Sequence, residues 1–311
     1  MPIYSEAMTH QSHSMQTLDF TPVIIIGAPR SGTNILRDTL CRMSPFATWD
    51  CDEINPVWRH GHLGHPHDRF DAAMARPDTI AFLRRSFVKA WKRFGHPRFL
   101  VEKTCANSLR VPFIAAAFPE ARFIFLVRDG VDVVASAQKR WRGEMELPSL
   151  PYYWAKIRST PLVDLPVYGA RFVQSRLSMM LGVSDHLSFW GPQYPSIQDD
   201  LRSLSLDEVC ARQWVSCVED ADTALGALPA DRVCRIVYEE LAFMPDAQIA
   251  RIGAFLGAGM DEAIIANVCA KVSRKSVGQG RRSLGEEDHS HRLLSIMAPT
   301  LTKFGYRVEI E

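Results

Sequence analysis

The 311-residue sequence lacks a charge surplus, a long apolar run and a leader-like N-terminus. Its 36 lysines and arginines nearly balance 35 aspartates and glutamates, whereas general nucleic-acid-binding proteins usually carry a basic surplus. The apolar stretch at 112–118 is too short to span a bilayer, and residues 1–20 are polar, without the charged-then-apolar order of a signal peptide. We therefore expect a cytoplasmic protein with no transmembrane segment and no nucleic-acid partner.

Paired cysteines and an obvious metal site are missing as well. The seven cysteines are an odd number without paired spacing, which favours reduced thiols. Four histidines crowd the loop at 60–67, a density that can bind zinc, but no cysteine or carboxylate cluster completes a tetrahedral set. We predict no metal, and three interpretations of this loop stay open: an exposed loop, a substrate contact, or the source of a catalytic base.

From residue 23 onward, strand-like and helix-like patterns alternate, which predicts an α/β fold with a mostly parallel central sheet covered by helices on both faces. Residues 1–20 are interpreted as a loosely packed arm, and 21–311 as a single domain. Prolines and aromatics crowd residues 142–200, which we interpret as an irregular or helical insertion that binds an acceptor or simply packs as a hydrophobic subdomain.

Local signals place several helix ends. Asp78 is a candidate cap for a helix that Gly95 would end, and Asn107 is a candidate cap for a helix reaching residue 118. Ser205 and Glu208 have the spacing of a capping box that opens a helix to about residue 225. A strand over 232–238 and helices over roughly 245–256 and 260–270 should follow.

Residues 23–34 are the most informative part of what is present. An apolar β-branched run ends in a small-residue turn and a helical pattern follows, so backbone N–H groups and the helix dipole should face a bound anion. Gly27 and Gly32 frame four residues, as in the P-loop of nucleotide triphosphatases. However, Thr33 stands where those enzymes have a lysine, and Asn34 where they have the magnesium-binding hydroxyl. Arg30 is the cation that the loop itself offers.

A second signal lies about a hundred residues later. Residues 123–130 are typical of a buried strand and its exit turn, with Arg128 at the end of the strand. A helix is predicted over 131–141, and Ser136 falls inside it, eight residues after Arg128.

Together these two segments resemble the sulfotransferases that use 3′-phosphoadenosine 5′-phosphosulfate (PAPS). The resemblance implies that the first loop holds the 5′-phosphosulfate, and that Arg128 and Ser136 hold the 3′-phosphate that ATP lacks. It also implies that Gly280 and its neighbours form a late cofactor loop in which Arg281 or Arg282 closes over the 3′-phosphate. The cofactor-binding residues expected are Arg30, Ser31, Gly32, Thr33, Asn34, Arg128, Ser136, Arg281 and Arg282.

Catalytic residues are expected at the same edge of the sheet. Lys103 follows the predicted strand at 99–101, where the resemblance implies a lysine that stabilises charge on the transferred group with Arg30. Cys105 stands where the cytosolic small-molecule branch has its histidine base, so the sequence is more similar to the carbohydrate and protein-tyrosine branches. Those branches use a glutamate after the second strand, so the resemblance implies Glu53, which follows the predicted strand at 47–51, as the base, with Asp52 as the alternative.

The expected activity is transfer of a sulfuryl group to a hydroxyl of a carbohydrate or glycolipid. Two other functions stay open at this point: a P-loop nucleotide kinase or NTPase, which the missing lysine and magnesium hydroxyl disfavour, and a non-catalytic nucleotide-binding protein on the same fold.

Overall fold

The computed structural model describes residues 17–142, 150–170, 190–282 and 287–308. They form a five-stranded sheet of order β2-β3-β1-β4-β5, and every neighbouring pair is parallel. The strands are β1 (Thr21–Ile26), β2 (Phe46–Thr48), β3 (Phe99–Lys103), β4 (Arg122–Val127) and β5 (Val233–Val237). The α/β fold class with a parallel sheet is confirmed.

Helices follow or cover each strand. In chain order they are α1 (Thr33–Leu40), α2 (Asn55–Trp58), α3 (Pro77–Arg93), α4 (Val111–Ala117), α5 (Gly130–Trp141), α6 (Leu150–Ser159), α7 (described at 165–170), α8 (Ile197–Ser203), α9 (Leu206–Gly226), α10 (Tyr238–Phe243), α11 (Pro245–Leu256), α12 (Glu262–Cys269), α13 (Gln279–Arg282) and α14 (Glu287–Lys303).

Alternation along the strands divides the core into two layers, because successive side chains of a strand point to opposite faces. Ile24 and Phe123 belong to the larger layer, beneath α3, α4, α5, α9 and α14. Val23 and Ile124 belong to the smaller layer, beneath α1, α10, α11 and α12. The central strands β1 and β4 are therefore buried on both faces, and the polar residues that follow them emerge only at the carboxyl edge.

Two of the helix caps expected from the sequence are wrong. The third helix begins at Pro77 with Arg76 as its cap, and Asp78 lies inside the first turn, where its charge faces the helix dipole. Asn107 sits in a 3₁₀ turn, and its amide donates to the buried Glu102 instead of capping α4. For Asn107, the buried carboxylate of Glu102, five residues earlier, is the acceptor that competes with the helix end.

Other local predictions are confirmed. Ser205 and Glu208 form both hydrogen bonds of the capping box at the start of α9. The eleventh helix covers Pro245–Leu256, and the strand expected at 232–238 is β5. All seven cysteines are free thiols. In the described part of the 142–200 region, helices α6, α7 and α8 occur, while the rest of that region and most of the 1–20 arm lie outside the described residues.

Candidate functional site

A cleft of about 1350 Å³ opens at the carboxyl edge of the sheet, where the loops after β1, β3 and β4 meet. In open parallel sheets this edge is the usual place for a ligand. Its walls come from the loop after β1, Asp52 and Glu53, Lys103, the cleft-facing side of α5 and the 276–282 segment. The fold thus brings residues from distant parts of the chain to one site.

The loop between β1 and α1 depends on two glycines. Gly27 lies so close to the backbone of β4 that an added Cβ would stand 2.7 Å from the Leu126 carbonyl oxygen. Gly32 has a φ of 88°, and its missing Cβ leaves room for the Tyr238 ring, which would otherwise be 2.3 Å away. The first bond of α1 runs from the Leu36 N–H to the Gly32 carbonyl, so the N–H groups just before Leu36 remain for an anion.

Arg30 turns its side chain across the cleft. Its φ of 69° lies in the left-handed region, which non-glycine residues rarely adopt outside functional loops. The Arg30 Nε donates to the Ser136 Oγ at 2.9 Å, so the first loop and α5 are joined directly. Burial and the nearby charge of Arg140 both lower the pKa of Arg30, and a bound anion would relieve both effects.

Arg128 is anchored from several sides at the end of β4. Its guanidinium donates to the Arg30 carbonyl at 3.0 Å, to Asp132 at 3.2 Å and to the Ser276 carbonyl at 2.5 Å. It also stacks over the Tyr238 ring, 4.5 Å from the ring centre. Its buried Nε has no hydrogen-bond partner among the described residues, although Arg128 lines the cleft.

Asp132 fixes the 276–282 segment against α5. Its carboxylate accepts the Gly278 N–H at 2.7 Å and the Gly280 N–H at 2.6 Å. Gly280 packs so tightly that an added Cβ would stand 2.4 Å from the Val131 carbonyl oxygen. The glycine that the sequence singled out is therefore required for close approach of two backbones.

Two of the expected cofactor residues lie outside the cleft lining. The Ser31 side chain is fully buried and its N–H donates to the Ala28 carbonyl at 3.2 Å, within the loop itself. Arg281 donates from its Nε to Asp129 at 2.7 Å, an ion pair that the sequence spacing does not reveal. Its neighbour Arg282 does line the cleft, as do Arg30, Gly32, Thr33, Asn34, Arg128 and Ser136.

Glu53 and Lys103 meet at the other side of the cleft. Lys103 Nζ donates to Glu53 Oε1 at 3.0 Å, and the same oxygen accepts the Cys105 N–H at 3.2 Å. Burial raises the pKa of the Glu53 carboxyl, but the Lys103 charge and these hydrogen bonds outweigh it, so the pKa falls to about 2. Burial alone would lower the pKa of Lys103, and the charge of Glu53 outweighs it and raises it.

Glu102 lies on the core side of the same strand. It is 1% exposed, and its oxygens accept the Thr104 hydroxyl at 2.6 Å and the Asn107 amide at 2.7 Å. The Thr104 oxygen in turn accepts the Ile54 N–H at 3.1 Å. Because Ile54 follows Glu53, this chain of hydrogen bonds holds the backbone that carries the cleft-facing carboxylate.

The histidine loop is organised around a buried ion pair rather than around the cleft. Arg59 donates to the carbonyls of His62, His65 and His67 and to Asp68, which also pairs with the buried Arg110. His60 instead contacts Asp164 at 2.7 Å. None of the four histidines is among the lining residues of the cleft, and the described residues contain no metal-binding group of three or more side chains.

Sequence reasoning missed Tyr238, Asp132 and the basic residues that line the outer part of the cleft. Tyr238 packs between Gly32 and Arg128 and donates or accepts a hydrogen bond with Ser276 at 2.7 Å. In the sequence, the position of Tyr238 at the end of the strand predicted over 232–238 was the signal that it could reach the site. Lys139, Arg140, Arg142 and Lys156 line the outer cleft.

Comparison with known proteins gives one family match and several structures of similar fold. Residues 22–156 match the family model described as the sulfotransferase family, while no curated protein matches the chain in sequence. The chain is similar in structure to a sulfotransferase domain from the curacin biosynthetic pathway, with 15% identity, a TM-score of 0.53, and 94% of this chain and 100% of that chain covered.

Two further structures have the same fold. One is a sulfotransferase domain from the Synechococcus PCC 7002 olefin synthase, with 16% identity, a TM-score of 0.54 and coverage of 94% and 98% of the two chains. The other is a sulfotransferase from Mycobacterium avium, with 14% identity, a TM-score of 0.55 and coverage of 95% and 79%. The fold likeness extends well beyond the family match, into the half of the chain that contains Tyr238.

Proposed function

We propose that the protein moves a sulfuryl group from PAPS to a hydroxyl group of an acceptor, in keeping with the match of residues 22–156 to the sulfotransferase family model. One observation carries this proposal: a single cleft holds an anion-binding loop, an anchored arginine and a lysine–glutamate pair. PAPS needs all three, because it presents a phosphosulfate, a separate 3′-phosphate and a sulfur centre to be attacked. The loop lacks the lysine and magnesium hydroxyl that triphosphate chemistry uses.

The 5′-phosphosulfate fits the first loop. The N–H groups at the start of α1 would hold its oxygens, and the Arg30 guanidinium would leave or share its contact with Ser136 to reach them. Thr33 and Asn34 line the same part of the cleft. Charge-assisted hydrogen bonds from a preorganised loop suit a donor that must be held without a metal ion.

The 3′-phosphate fits beside Arg128 and Ser136. Arg128 is fixed before any ligand arrives, and its unpartnered Nε is a buried donor that an anion would satisfy. Ser136 supplies a hydroxyl from α5, and Arg282 lies at the open side. In this proposal Arg281 supports the segment through Asp129 instead of contacting the phosphate.

The chemical step would use Glu53 and Lys103. The acceptor oxygen attacks sulfur, the bond from sulfur to the bridging phosphate oxygen breaks, and the acceptor proton passes to Glu53. Lys103 and Arg30 offset the charge that gathers on the departing phosphate. A carboxylate with a pKa of about 2 is a poor base, but it becomes a stronger one once Lys103 turns from Glu53 to the donor. Donor binding would thus activate the base.

The acceptor is proposed to be a carbohydrate or glycolipid hydroxyl. The Trp190 indole lines the cleft, and such rings stack on sugar faces. Four basic side chains in the outer cleft would favour acceptors that carry negative charge.

Thermal unfolding with nucleotides tests the proposal. Ligand at a hundredfold its dissociation constant stabilises a protein by about 2.7 kcal/mol, which a melting curve detects. We expect a metal-independent shift with 3′,5′-adenosine bisphosphate and little with ATP or ADP. A shift seen only with ATP and magnesium would overturn the proposal in favour of a kinase or NTPase. Binding without transfer to any acceptor in a screen with labelled PAPS would favour a non-catalytic protein.

Arg128→Gln provides a sharper test of the 3′-phosphate site. Its affinity for the bisphosphate should fall about tenfold to a hundredfold, the usual range for a lost charge-assisted hydrogen bond, while affinity for adenosine 5′-phosphate should change little. The exposed Arg251 offers a matched control, and Arg251→Gln should leave both affinities unchanged. Equal losses for both nucleotides would remove Arg128 from the 3′-phosphate role.

A further inference from the structure

One wall of the cleft has no role in the proposed donor site. Trp190 and Gly191 line the cleft and begin a short run of chain that ends at Gln193. This run, residues 190–193, is called here the Trp190 wall. The contacts proposed for PAPS come instead from other walls of the same cleft. The Trp190 wall is therefore left for the acceptor.

A buried glutamine of α9 holds the Trp190 wall. Gln213 is 1% exposed, and its Nε2 donates to the Trp190 carbonyl at 3.3 Å and to the Pro192 carbonyl at 3.0 Å. Gly191, between these carbonyls, has a φ of 66°, and an added Cβ would stand 3.0 Å from the same nitrogen. The wall thus follows the Gln213 amide closely. The ninth helix has 21 residues, and neither it nor any other described helix is both long and apolar enough to cross a membrane.

The far end of the wall is tied to the residue that follows the histidine loop. The Gln193 N–H donates to Asp68 Oδ2 at 2.8 Å, and the Gln193 carbonyl accepts the Asp68 N–H at 2.6 Å. Asp68 is 1% exposed and also accepts from Arg59 and Arg110 at 2.7 Å each. The ion pair that organises the histidine loop therefore also anchors one wall of the cleft, although no histidine of that loop lines it.

The Trp190 ring is supported by α5. Its centre lies 5.7 Å from the centre of the Trp141 ring, and the two ring planes meet at 67°, which is an edge-to-face contact. Trp141 is fully buried, so its own position is fixed by the core. Both the backbone and the ring of Trp190 are thus restrained before any ligand arrives. A restrained aromatic ring binds a ligand with little further loss of side-chain freedom.

We propose that Gln213 and Asp68 are positioning residues for the acceptor, and that they hold Trp190 to stack on an acceptor whose hydroxyl is carried by a ring. This inference rests on the proposed function. Neither positioning residue lines the cleft, so both act through the wall. The next residue of α9 restrains the donor side instead, because Trp214 Nε1 donates to the Arg128 carbonyl at 3.2 Å. Adjacent side chains of one helix therefore brace the two halves of the site.

Steady-state kinetics of Gln213→Met in the full-length protein test the positioning. Methionine has a similar volume but cannot donate to the wall carbonyls, so the KM for a ring acceptor should rise about tenfold, as expected for two ordinary hydrogen bonds. The KM for PAPS and the melting shift with 3′,5′-adenosine bisphosphate should stay at wild-type values. Gly191→Ala strains the same wall without altering α9 and should give the same result. Gln248→Met makes the matched change at a buried glutamine of α11 and should leave both KM values unchanged.

Hydroxyl compounds of different shape test the ring preference. Wild type should use methyl β-D-glucopyranoside or phenol with a higher kcat/KM than the linear sorbitol, and the better of the two rings distinguishes a sugar from a phenol. Trp190→Leu should lower kcat/KM for the preferred ring about fivefold to tenfold and leave sorbitol unchanged.

Three outcomes would overturn the proposal. They are no transfer to either ring, equal use of sorbitol by wild type, or an acceptor KM in Gln213→Met and Gly191→Ala that stays at the wild-type value or rises only together with the KM for PAPS. A wild-type protein without a melting shift for 3′,5′-adenosine bisphosphate would instead refute the proposed function itself.

Discussion

Glu53 on the cleft side of β3 and Glu102 on its core side have pKa values shifted in opposite directions. Glu53 meets Lys103 at the cleft, and its pKa is lowered to about 2 although burial opposes this. Glu102 points into the core, where burial outweighs the hydrogen bond from Thr104 and the charge of Lys103 and raises the pKa of Glu102 to about 7. Glu53 is 26% exposed and hydrogen-bonded to Lys103, whereas Glu102 is 1% exposed, so contact with a cation and access to solvent together keep Glu53 ionised.

Removal of the Lys103 cation should have the largest effect on the rate of sulfuryl transfer. In the proposal the Lys103 ammonium offsets the negative charge of the departing phosphate. Lys103→Met removes this cation, so the rate of sulfuryl transfer should fall by about 10²–10³, typical for loss of one group that stabilises charge in the transition state. Affinity for 3′,5′-adenosine bisphosphate should fall less, because Arg30 and the N–H groups at the start of α1 still hold its 5′-phosphate. A single-turnover rate equal to that of wild type would exclude Lys103 from the chemical step.

Removing the cleft carboxylate should have the next largest effect. Glu53→Gln should lower the transfer rate at least about tenfold, since a positioned base typically contributes about 10²–10⁴-fold, and it should leave bisphosphate binding intact. Asp52→Asn is the matched variant on the adjacent residue and should retain most activity. The reverse result would assign the proton transfer to Asp52.

The pH dependence of stability should separate the two glutamates. A pKa lowered from its ordinary value of 4.5 to about 2 means that Glu53 stabilises the fold above pH 4.5 and that this contribution is lost as the pH falls toward 2. A pKa raised to about 7 means that Glu102 favours the fold at low pH and that this contribution is lost as the pH rises from 4.5 through 7.

Urea unfolding across this pH range measures both effects. Glu53→Gln should flatten the acid side of the profile, and Glu102→Gln should flatten the side that approaches neutrality. Profiles that change identically in the two variants would contradict the comparison.

The smallest effect on the rate should come from loss of the hydrogen-bond chain that links Glu102 through Thr104 to the backbone beside Glu53. Thr104→Val breaks the link from Glu102 to the Ile54 N–H, and kcat should fall about threefold to tenfold, the equivalent of one ordinary hydrogen bond. The KM for PAPS should stay near the wild-type value, and Thr104→Ser should restore kcat. If KM rises instead, or serine fails to rescue, Thr104 has only a packing role.

Local sequence was sufficient to predict a structural feature when all of its interacting residues lie in one short segment. The apolar run before Gly27 specifies a buried strand, and the turn through Gly32 specifies an exposed helix start. The Ser205–Glu208 capping box also depends only on neighbours three residues apart. In these cases the atoms that interact are close in the chain, so spacing carries the information.

Tertiary structure alone decided which polar groups are available at the site. Packing of remote elements brings Asp129 to Arg281, 152 residues later in the chain, so this arginine of the late loop already has an ion-pair partner. The same packing put the Tyr238 ring against Gly32 and set Lys103 against Glu53, fifty residues away. The sequence by itself therefore determined the parallel α/β frame and the anion loop, because these follow from burial of strands and from backbone geometry. Partner choice and protonation state came only from the fold, because they depend on distances between residues remote in the chain.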